Sequence, residues 1–330
     1  MAQINKLSYD SRPPANLTLS AVSAFKFYII TMRPYLMFVS GITGIAGLSF
    51  SDNLSLLQTI AVFFASFFSY GFGQALTDCF QIDTDSISSP YRPLTQGKIS
   101  KSLVLIISAA GLILCILVFT VYNSFNLILG IISGIGLATY TYFKRRWWGG
   151  PFYNAWIVSV LFIMAFLSSA GQKLSFEIVH GALAVFFGYS NFVLSGYFKD
   201  ITADEATGYN TLPVKFGRKI SAAVSSMFAF LMIIFSSIII FQKFPVLISD
   251  IPSLLFFLLG FTAASTAQYR LHKVQSDEDA YKAILPVVHS YILILSSIAL
   301  SQKPGWLIPL LVFYFGFSLI LKLRPSKQQI

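Results

Sequence analysis

Long apolar runs separated by short polar segments make up most of the chain. A helix needs about 17–25 apolar residues to cross the hydrocarbon core, and most of the runs reach or approach that length. Because lipid offers no partners for backbone N–H and C=O groups, the runs are predicted to be helices rather than strands of an open sheet. The predicted spans cover residues 34–50, 54–76, 103–121, 127–143, 154–171, 178–198, 221–241, 253–269, 284–301 and 306–321. The pattern therefore predicts an all-α polytopic membrane protein with about nine or ten transmembrane helices.

The composition excludes an ordinary soluble protein. Hydrophobic residues make up 55% of the chain, charged residues make up only 11%, and the mean hydropathy is +0.71. Soluble domains carry about a quarter charged residues. No polar stretch interrupts the apolar runs for long enough to form a separate domain, so residues 1–330 are predicted to form a single membrane-embedded domain.

The distribution of basic residues predicts the orientation of the chain. With the N-terminus in the cytosol, every Lys and Arg except Lys173, Lys243 and Lys303 falls in a cytosolic loop or tail. This positive-inside pattern predicts that both termini lie on the cytosolic side, as in a bacterial-type inner membrane. The net charge of +10 is explained by this topology and by contact with anionic headgroups of the lipid bilayer. The basic residues are spread over all the cytosolic loops, so no nucleic-acid partner is predicted.

Two acidic clusters occupy corresponding places in an otherwise apolar chain. They lie at residues 78–85 and 200–205, each follows an apolar run, and together they hold six of the 13 acidic residues. Each is followed by a similar tail, Gly-Lys-Ile-Ser at 97–100 and Gly-Arg-Lys-Ile-Ser at 217–221. The chain is therefore predicted to contain two pseudo-repeated four-helix halves, at about residues 20–150 and 151–330. Carboxylates at the edge of the hydrocarbon are costly, so both clusters predict a functional site on the cytosolic side.

The spacing of the carboxylates predicts a shared magnesium site. Residues four or seven apart lie on one face of a helix, so Asp78 stacks with Asp85 and Asp200 stacks with Asp204. Gln81 lies near the first face, whereas Asp83 points away from it. Carboxylate oxygens with open positions for water suit Mg²⁺, which also accepts phosphate oxygens as ligands.

Cationic residues near the clusters predict that a diphosphate is the anionic ligand. Arginine forks and lysine ammonium groups both bind phosphate oxygens. The side chains predicted to contact the diphosphate are Arg92, Lys98, Lys144, Arg145 and Lys199. The turn formed by Ser89-Pro90-Tyr91-Arg92-Pro93 directs Arg92 back towards the first cluster. Two carboxylate sets flanked by cations are the arrangement that a magnesium-bound diphosphate needs.

At these residues the sequence resembles the UbiA-type intramembrane prenyltransferases. That family carries Asn-Asp-x-x-Asp-x-x-x-Asp with a following Pro/Arg-Pro loop, and later Asp-x-x-x-Asp-x-x-x-Gly with a downstream Leu-Pro. The matching segments here are residues 77–85, 90–97, 200–208 and 211–213, and Arg33-Pro34 also resembles a family position. The chain departs from the family pattern at Thr77, where the family has Asn, and at Gln81, where it has Asp.

The resemblance implies a Mg²⁺-dependent transferase. An isoprenyl group would pass from an isoprenyl diphosphate to a hydrophobic or aromatic acceptor, with release of diphosphate. The implied metal-binding and catalytic residues are Asp78, Asp85, Asp200 and Asp204, with Gln81 as a further metal ligand and Arg33 as a further diphosphate-binding residue. The acceptor stays open between quinone precursors, a porphyrin and a lipid glycerol.

Two other functions remain as alternatives. The altered first motif also admits a membrane terpene cyclase of the same superfamily, which uses no acceptor. A transporter would place ionisable residues near the middle of its spans. The charges of this chain instead lie at the cytosolic ends, which favours an enzyme acting on a lipid-tailed substrate.

Overall fold

The described part of this computed structural model comprises residues 20–169, 175–242 and 250–324, and it contains helices but no β-strand. The predicted outer-loop residues Lys173 and Lys243 lie outside these ranges. The helices are α1 (Ala21–Met32), α2 (Pro34–Ser49), α3 (Leu56–Asp78), α4 (Ile82–Ser88), α5 (Lys101–Tyr122), α6 (Phe125–Arg146), α7 (Gly150–Leu167), α8 (Phe176–Tyr197), α9 (Ile201–Ala206), α10 (Leu212–Phe241), α11 (Ile251–Leu271), α12 (Tyr281–Gln302) and α13 (Leu307–Lys322). The prediction of an all-α fold is confirmed.

The predicted membrane spans are also confirmed. Nine helical segments in the described ranges are long and apolar enough to cross a membrane, and the bent pair α1–α2 provides a tenth. The bend between α1 and α2 is 56° and falls at Arg33. Proline disfavours the right-handed α conformation in the residue before it, so the helix breaks at Arg33, whose backbone is left-handed with φ 54°. This break separates α1 from the run that begins at Pro34, which explains why the sequence pattern did not extend the span towards the N-terminus.

The helix that was expected to carry both Asp78 and Asp85 is interrupted. α3 ends at Asp78 and α4 begins at Ile82. Across the break, the N–H groups of Phe80 and Gln81 bond to carbonyls three residues back, so the helix tightens and ends. The stacking of these two aspartates on one continuous helix was therefore a wrong prediction.

The second acidic cluster has the same construction. α8 ends at Tyr197, and Asp200 is the residue that precedes the first turn of α9. The backbone N–H of Asp204 bonds to the carbonyl oxygen of Asp200 at 2.7 Å, so the predicted one-turn spacing of these aspartates is retained.

The two short helices bring the acidic clusters together. α4 contacts α9, and the hydroxyls of Thr84 and Thr207 lie 2.9 Å apart across this contact. Each short helix is followed by a glycine with positive φ, Gly97 at 65° after α4 and Gly208 at 75° after α9, and a third, Gly217 at 78°, kinks α10. The helices α8 and α12 are the most buried of the described spans, and they contact each other.

Candidate active site

A cavity opens between the two acidic segments at the end of the helix bundle where α3, α6 and α8 terminate. Its polar mouth is lined by Arg33, Asp78, Gln81, Asp85, Arg92, Lys144, Lys199 and Asp200. The sequence had predicted a role for every one of these side chains. Residues separated by more than 160 positions in the chain therefore share one site.

Two arginines hold the carboxylates of the first segment. Arg33 Nη2 donates to both oxygens of Asp78, at 2.9 and 2.8 Å, and Gln74 Nε2 donates to Asp78 Oδ1 at 2.7 Å. Arg92 pairs with Asp85 and lies 3.8 Å from Asp78. The bend before Pro34 orients Arg33 towards Asp78, so the unusual backbone of Arg33 has a direct consequence for the site.

Lys144 links the first segment to the second. Its Nζ donates to Asp204 Oδ1 at 3.3 Å and to Gln81 Oε1 at 3.2 Å. It also lies 4.9 Å from the ring centroids of Tyr197 and of Tyr209, a favourable cation–π distance. The buried Asp204 does not line the cavity itself and reaches it only through its partner Lys144.

Lys199 and Asp200 have fewer side-chain partners than the other charged residues of the mouth. Among the described residues Lys199 forms no ion pair, and Asp200 Oδ1 is buried without a hydrogen-bond partner. Burial lowers the pKa of Lys199 to about 8, although Asp200 opposes this effect, while Arg92 and Arg33 reinforce it. Burial also raises the pKa of Asp204 to about 6, against the opposing influence of Lys144.

Two of the predicted diphosphate-binding cations do not line this cavity. Arg145 follows Lys144 on α6 and therefore points about 100° away, where it bonds to Asp83 at 2.6 Å and stacks on Tyr209 at 4.4 Å. Lys98 is exposed beyond the turn at Gly97 and lies 5.9 Å from the ring of Phe27. The structure thus gives both residues partners away from the mouth, and Asp83, which pairs with Arg145, does not line the cavity either.

The sequence interpretation gave no role to Gln74 and Tyr70, and it noted Tyr140 and Tyr197 only as aromatic residues near the motifs. Gln74 contacts Asp78 from one turn earlier on α3, and Tyr70 donates to Gln74 Oε1 at 3.3 Å. Their spacing of four residues was a readable signal. The hydroxyls of Tyr140 and Tyr197 lie 2.7 Å apart below the mouth, on helices that no local pattern pairs.

The mouth offers oxygen ligands of the type that Mg²⁺ prefers. Within the described ranges, no group of three or more His, Cys, Asp and Glu side chains is already arranged around one point. Asp78, Asp85 and Asp200 nevertheless face the cavity, and the free oxygen of Asp200 is a hard donor of the type that Mg²⁺ prefers. Gln81 Oε1 already accepts a hydrogen bond from Lys144.

An apolar arm leads from the polar mouth into the bundle. Its walls come from α5, α6 and α7, and the lining side chains include Leu112, Cys115, Ile116, Phe119, Leu137, Leu161 and Met164. Asn126 Nδ2 donates to the carbonyls of Phe119 and Met164, so these residues lie at the level of Asn126, near the far end of α6. The cavity therefore suits a ligand with a charged head and a long hydrocarbon tail.

The profile of the UbiA prenyltransferase family matches residues 37–292. The chain belongs to this family, as the motifs indicated. It is a multi-pass integral membrane protein and a membrane prenyltransferase. One similar protein is the digeranylgeranylglyceryl phosphate synthase of Thermococcus kodakarensis, with 28% identity over 216 residues, which are 64% of this chain and 76% of the relative.

Solved structures show the same fold. One, from a study of digeranylgeranylglyceryl phosphate synthase in membranes, superposes with a TM-score of 0.62 at 24% identity and covers 84% of this chain and 98% of its own. Another is a UbiA homologue from Archaeoglobus fulgidus bound to GPP and Mg²⁺, with a TM-score of 0.62, 18% identity, and coverage of 81% of this chain and 99% of its own.

Proposed function

We propose that this enzyme transfers an isoprenyl group from an isoprenyl diphosphate to the hydroxyl of a glycerophosphate-type lipid, in a Mg²⁺-dependent reaction on the cytosolic side of a bacterial-type cell membrane. The cavity supports an isoprenyl diphosphate as the donor, because it joins a charged mouth to an apolar arm. The A. fulgidus homologue binds GPP and Mg²⁺, which supports the same pairing of ligands here.

The charges of the mouth support a role for Mg²⁺. Arg33, Arg92, Lys144 and Lys199 are balanced by Asp78, Asp85, Asp200 and Asp204, so the set is close to neutral. A diphosphate adds several negative charges, which a neutral and largely buried set cannot stabilise. When bound, Mg²⁺ would supply the missing positive charge and stabilise the leaving group. Asp78, Asp85 and Asp200 would hold it.

The side chains have separate roles in the transfer. Arg33, Arg92 and Lys199 would bind diphosphate oxygens, and Asp204 would hold Lys144 towards the same group. The bond between the allylic carbon and the diphosphate oxygen breaks, and its electrons leave with the diphosphate. The acceptor hydroxyl forms the new C–O bond and loses its proton to the released diphosphate or to water. The arm excludes water from the allylic carbon.

The acceptor class is supported by the named relatives. Several of them are digeranylgeranylglyceryl phosphate synthases, from Thermococcus kodakarensis and from other organisms. An acceptor of this kind joins a hydroxyl to a lipid tail, so it can approach the cavity from the bilayer, where the apolar arm lies.

The experiment is a measurement of diphosphate release by the purified protein in detergent or vesicles. Geranyl, farnesyl and geranylgeranyl diphosphates would be supplied with Mg²⁺, with or without an isoprenyl glycerol phosphate or an aromatic acceptor. We expect release that requires the glycerol phosphate lipid, with an ether product seen by mass spectrometry. Release with the aromatic acceptor alone would overturn the acceptor assignment. Release without any acceptor, with a cyclic product, would establish a terpene cyclase instead.

A further inference from the structure

One face of α6 forms a wall of the cavity along most of the helix. The residues of this face that line the cavity are Gly130, Ser133, Gly134, Leu137, Tyr140 and Lys144. Their spacing of three and four residues is that of one helical face. The wall therefore runs from the cation at the mouth to the deep part of the arm, and its small residues determine how wide the arm is.

The rise of the helix gives the length of the arm. At about 1.5 Å per residue, Gly134 lies roughly 15 Å from Lys144 along the axis, and Gly130 lies roughly 21 Å from it. Four carbons of each isoprenyl unit lie in the chain, so with C–C bonds near 1.5 Å an extended unit is about 5 Å long. The level of Gly134 thus corresponds to the end of about three units, and the level of Gly130 corresponds to about four.

The glycines of α6 differ in what surrounds them. A Cβ atom at Gly130 would lie 2.7 Å from Ile116, and one at Gly136 would lie 2.4 Å from Trp156, so these glycines allow helices to pack. A Cβ atom at Gly134 would meet nothing within 4 Å, although the residue lines the cavity. Helix packing therefore does not explain the glycine at this position, whereas an open passage for a ligand does.

We propose that Gly134 is a specificity-determining residue that keeps the distal part of the arm open, so that donors of four isoprenyl units fit. The inference rests on the proposed function, since it assigns the arm to the isoprenyl tail. A large side chain at this position would project into the passage about three units from the diphosphate. It would shorten the arm without disturbing the mouth, where the bond is broken.

The test compares Gly134→Ala, Gly134→Leu and Gly134→Phe with the unchanged protein. Turnover would be measured with geranyl, farnesyl and geranylgeranyl diphosphates. We expect Gly134→Phe to lose about tenfold or more in kcat/KM for the geranylgeranyl donor, because the excess carbons no longer fit. We expect geranyl turnover to stay within about threefold of the original, and Gly134→Ala to behave like the original. Ile135→Phe on the lipid-facing side of α6, where Ile135 is 60% exposed, is the matched control.

A binding measurement separates this inference from the proposed function. Unreactive thiolodiphosphate analogues of the same three donors would be added, and the shift in Tm would be recorded for each variant. If the longest analogue stabilises the original protein but not Gly134→Phe, the inference about the arm is supported even when no transfer occurs. Equal responses of Gly134→Phe and the original to all three lengths would overturn the inference, whether or not the enzyme turns over. A failure of all three analogues to stabilise the original protein would overturn it too.

Discussion

At the scale of single residues, the charged side chains of the mouth differ in how free they are to meet a ligand. Arg33, Arg92 and Lys144 each form an ion pair with an aspartate. Lys199 forms none within the described part of the chain, and burial lowers its pKa to about 8. An anionic ligand would therefore improve the environment of Lys199 more than that of the other three.

Lys199→Met is expected to weaken donor binding. Methionine retains much of the length of the side chain but removes its charge, and a charge-assisted hydrogen bond contributes about 1.5–3 kcal/mol. We expect KM for the isoprenyl diphosphate to rise about 10- to 100-fold, with a smaller change in kcat. Steady-state kinetics measures both. Lys98→Met, at an exposed position outside the cavity, is the control, and equal effects of the two changes would refute the special role of Lys199.

Asp200→Asn is expected to remove turnover while the fold persists. The change keeps the shape of the side chain but makes its free, buried oxygen a poor magnesium ligand. We expect activity to fall about 100-fold or more, in the range found when one electrostatic stabiliser is removed. Mg²⁺ titrations of diphosphate release, together with a thermal unfolding control, would measure this. Asp83→Asn, whose partner Arg145 lies outside the cavity, should remain active; if Asp200→Asn is equally active, the metal assignment is wrong.

Gln81→Asp is expected to lower the Mg²⁺ concentration needed for half-maximal activity. Gln81 occupies the family's aspartate position, and its carbonyl oxygen accepts from Lys144 at 3.2 Å. A carboxylate there would add negative charge to the mouth and share Lys144 with Asp204, which favours cation binding. Activity against Mg²⁺ concentration measures the shift. Gln81→Asn, which keeps the amide, is the control; an unchanged or higher Mg²⁺ requirement in Gln81→Asp would contradict the expectation.

At the scale of helices, the short helix α9 is held by a residue far away in the sequence. The carboxylate of Asp200 does not cap α9, although Asp200 is at the capping position. Asp277, in the loop between α11 and α12, instead accepts from the backbone N–H of Thr202 at 2.8 Å and pairs with Arg218. Asp277 thus takes over the cap, which leaves the carboxylate of Asp200 directed into the cavity.

Asp277→Ala is expected to disturb the site more than the fold. The loss of a capping side chain costs about 1 kcal/mol of stability. Without this cap, Asp200 would turn to its own helix, so we expect the Mg²⁺ concentration for half-maximal activity to rise about fivefold or more. Asp277→Asn keeps an oxygen that can accept from the N–H of Thr202, so its Mg²⁺ requirement should stay close to that of the original protein. A loss of stability without any change in Mg²⁺ dependence would show that Asp277 only supports the fold.

The sequence predicted helices better than it predicted their interruptions. Apolar length alone located the spans, because the lipid environment leaves helices as the main solution. The break after Asp78 was missed, since the local residues do not show that tight turns at Phe80 and Gln81 end the helix. The site aspartates could be located from the sequence because carboxylates at the membrane edge are energetically unfavourable. Asp277 could not be located in this way, because its contact with Thr202 joins residues far apart in the sequence.

At the scale of the whole molecule, the site forms where two acidic segments far apart in the chain meet. Asp78 and Asp85 come from the first segment and Asp200 from the second, while Lys144 pairs with Asp204 of the second. The first segment and its loop supply Asp78, Asp85 and Arg92, and the second region supplies Lys199 and Asp200, so each brings only part of the charged set. This explains why the repeated acidic motif was a strong functional signal, although it did not reveal which cation would pair with which aspartate.

The orientation of the molecule determines from which side the diphosphate enters. The basic residues predict that the acidic segments face the cytosol, whereas Asp52 lies with Lys303 at the opposite end, 3.7 Å apart.

Gln96→Cys and Glu205→Cys would place single thiols at exposed positions on the predicted cytosolic side, and Asp52→Cys would place one outside. The native Cys79 and Cys115 are buried and should give little background. We expect an impermeant maleimide to label only Asp52→Cys in intact cells, and all three variants after the membrane is opened. Labelling of Gln96→Cys and Glu205→Cys in intact cells would place the charged mouth outside, where it would lack access to cytosolic isoprenyl diphosphates.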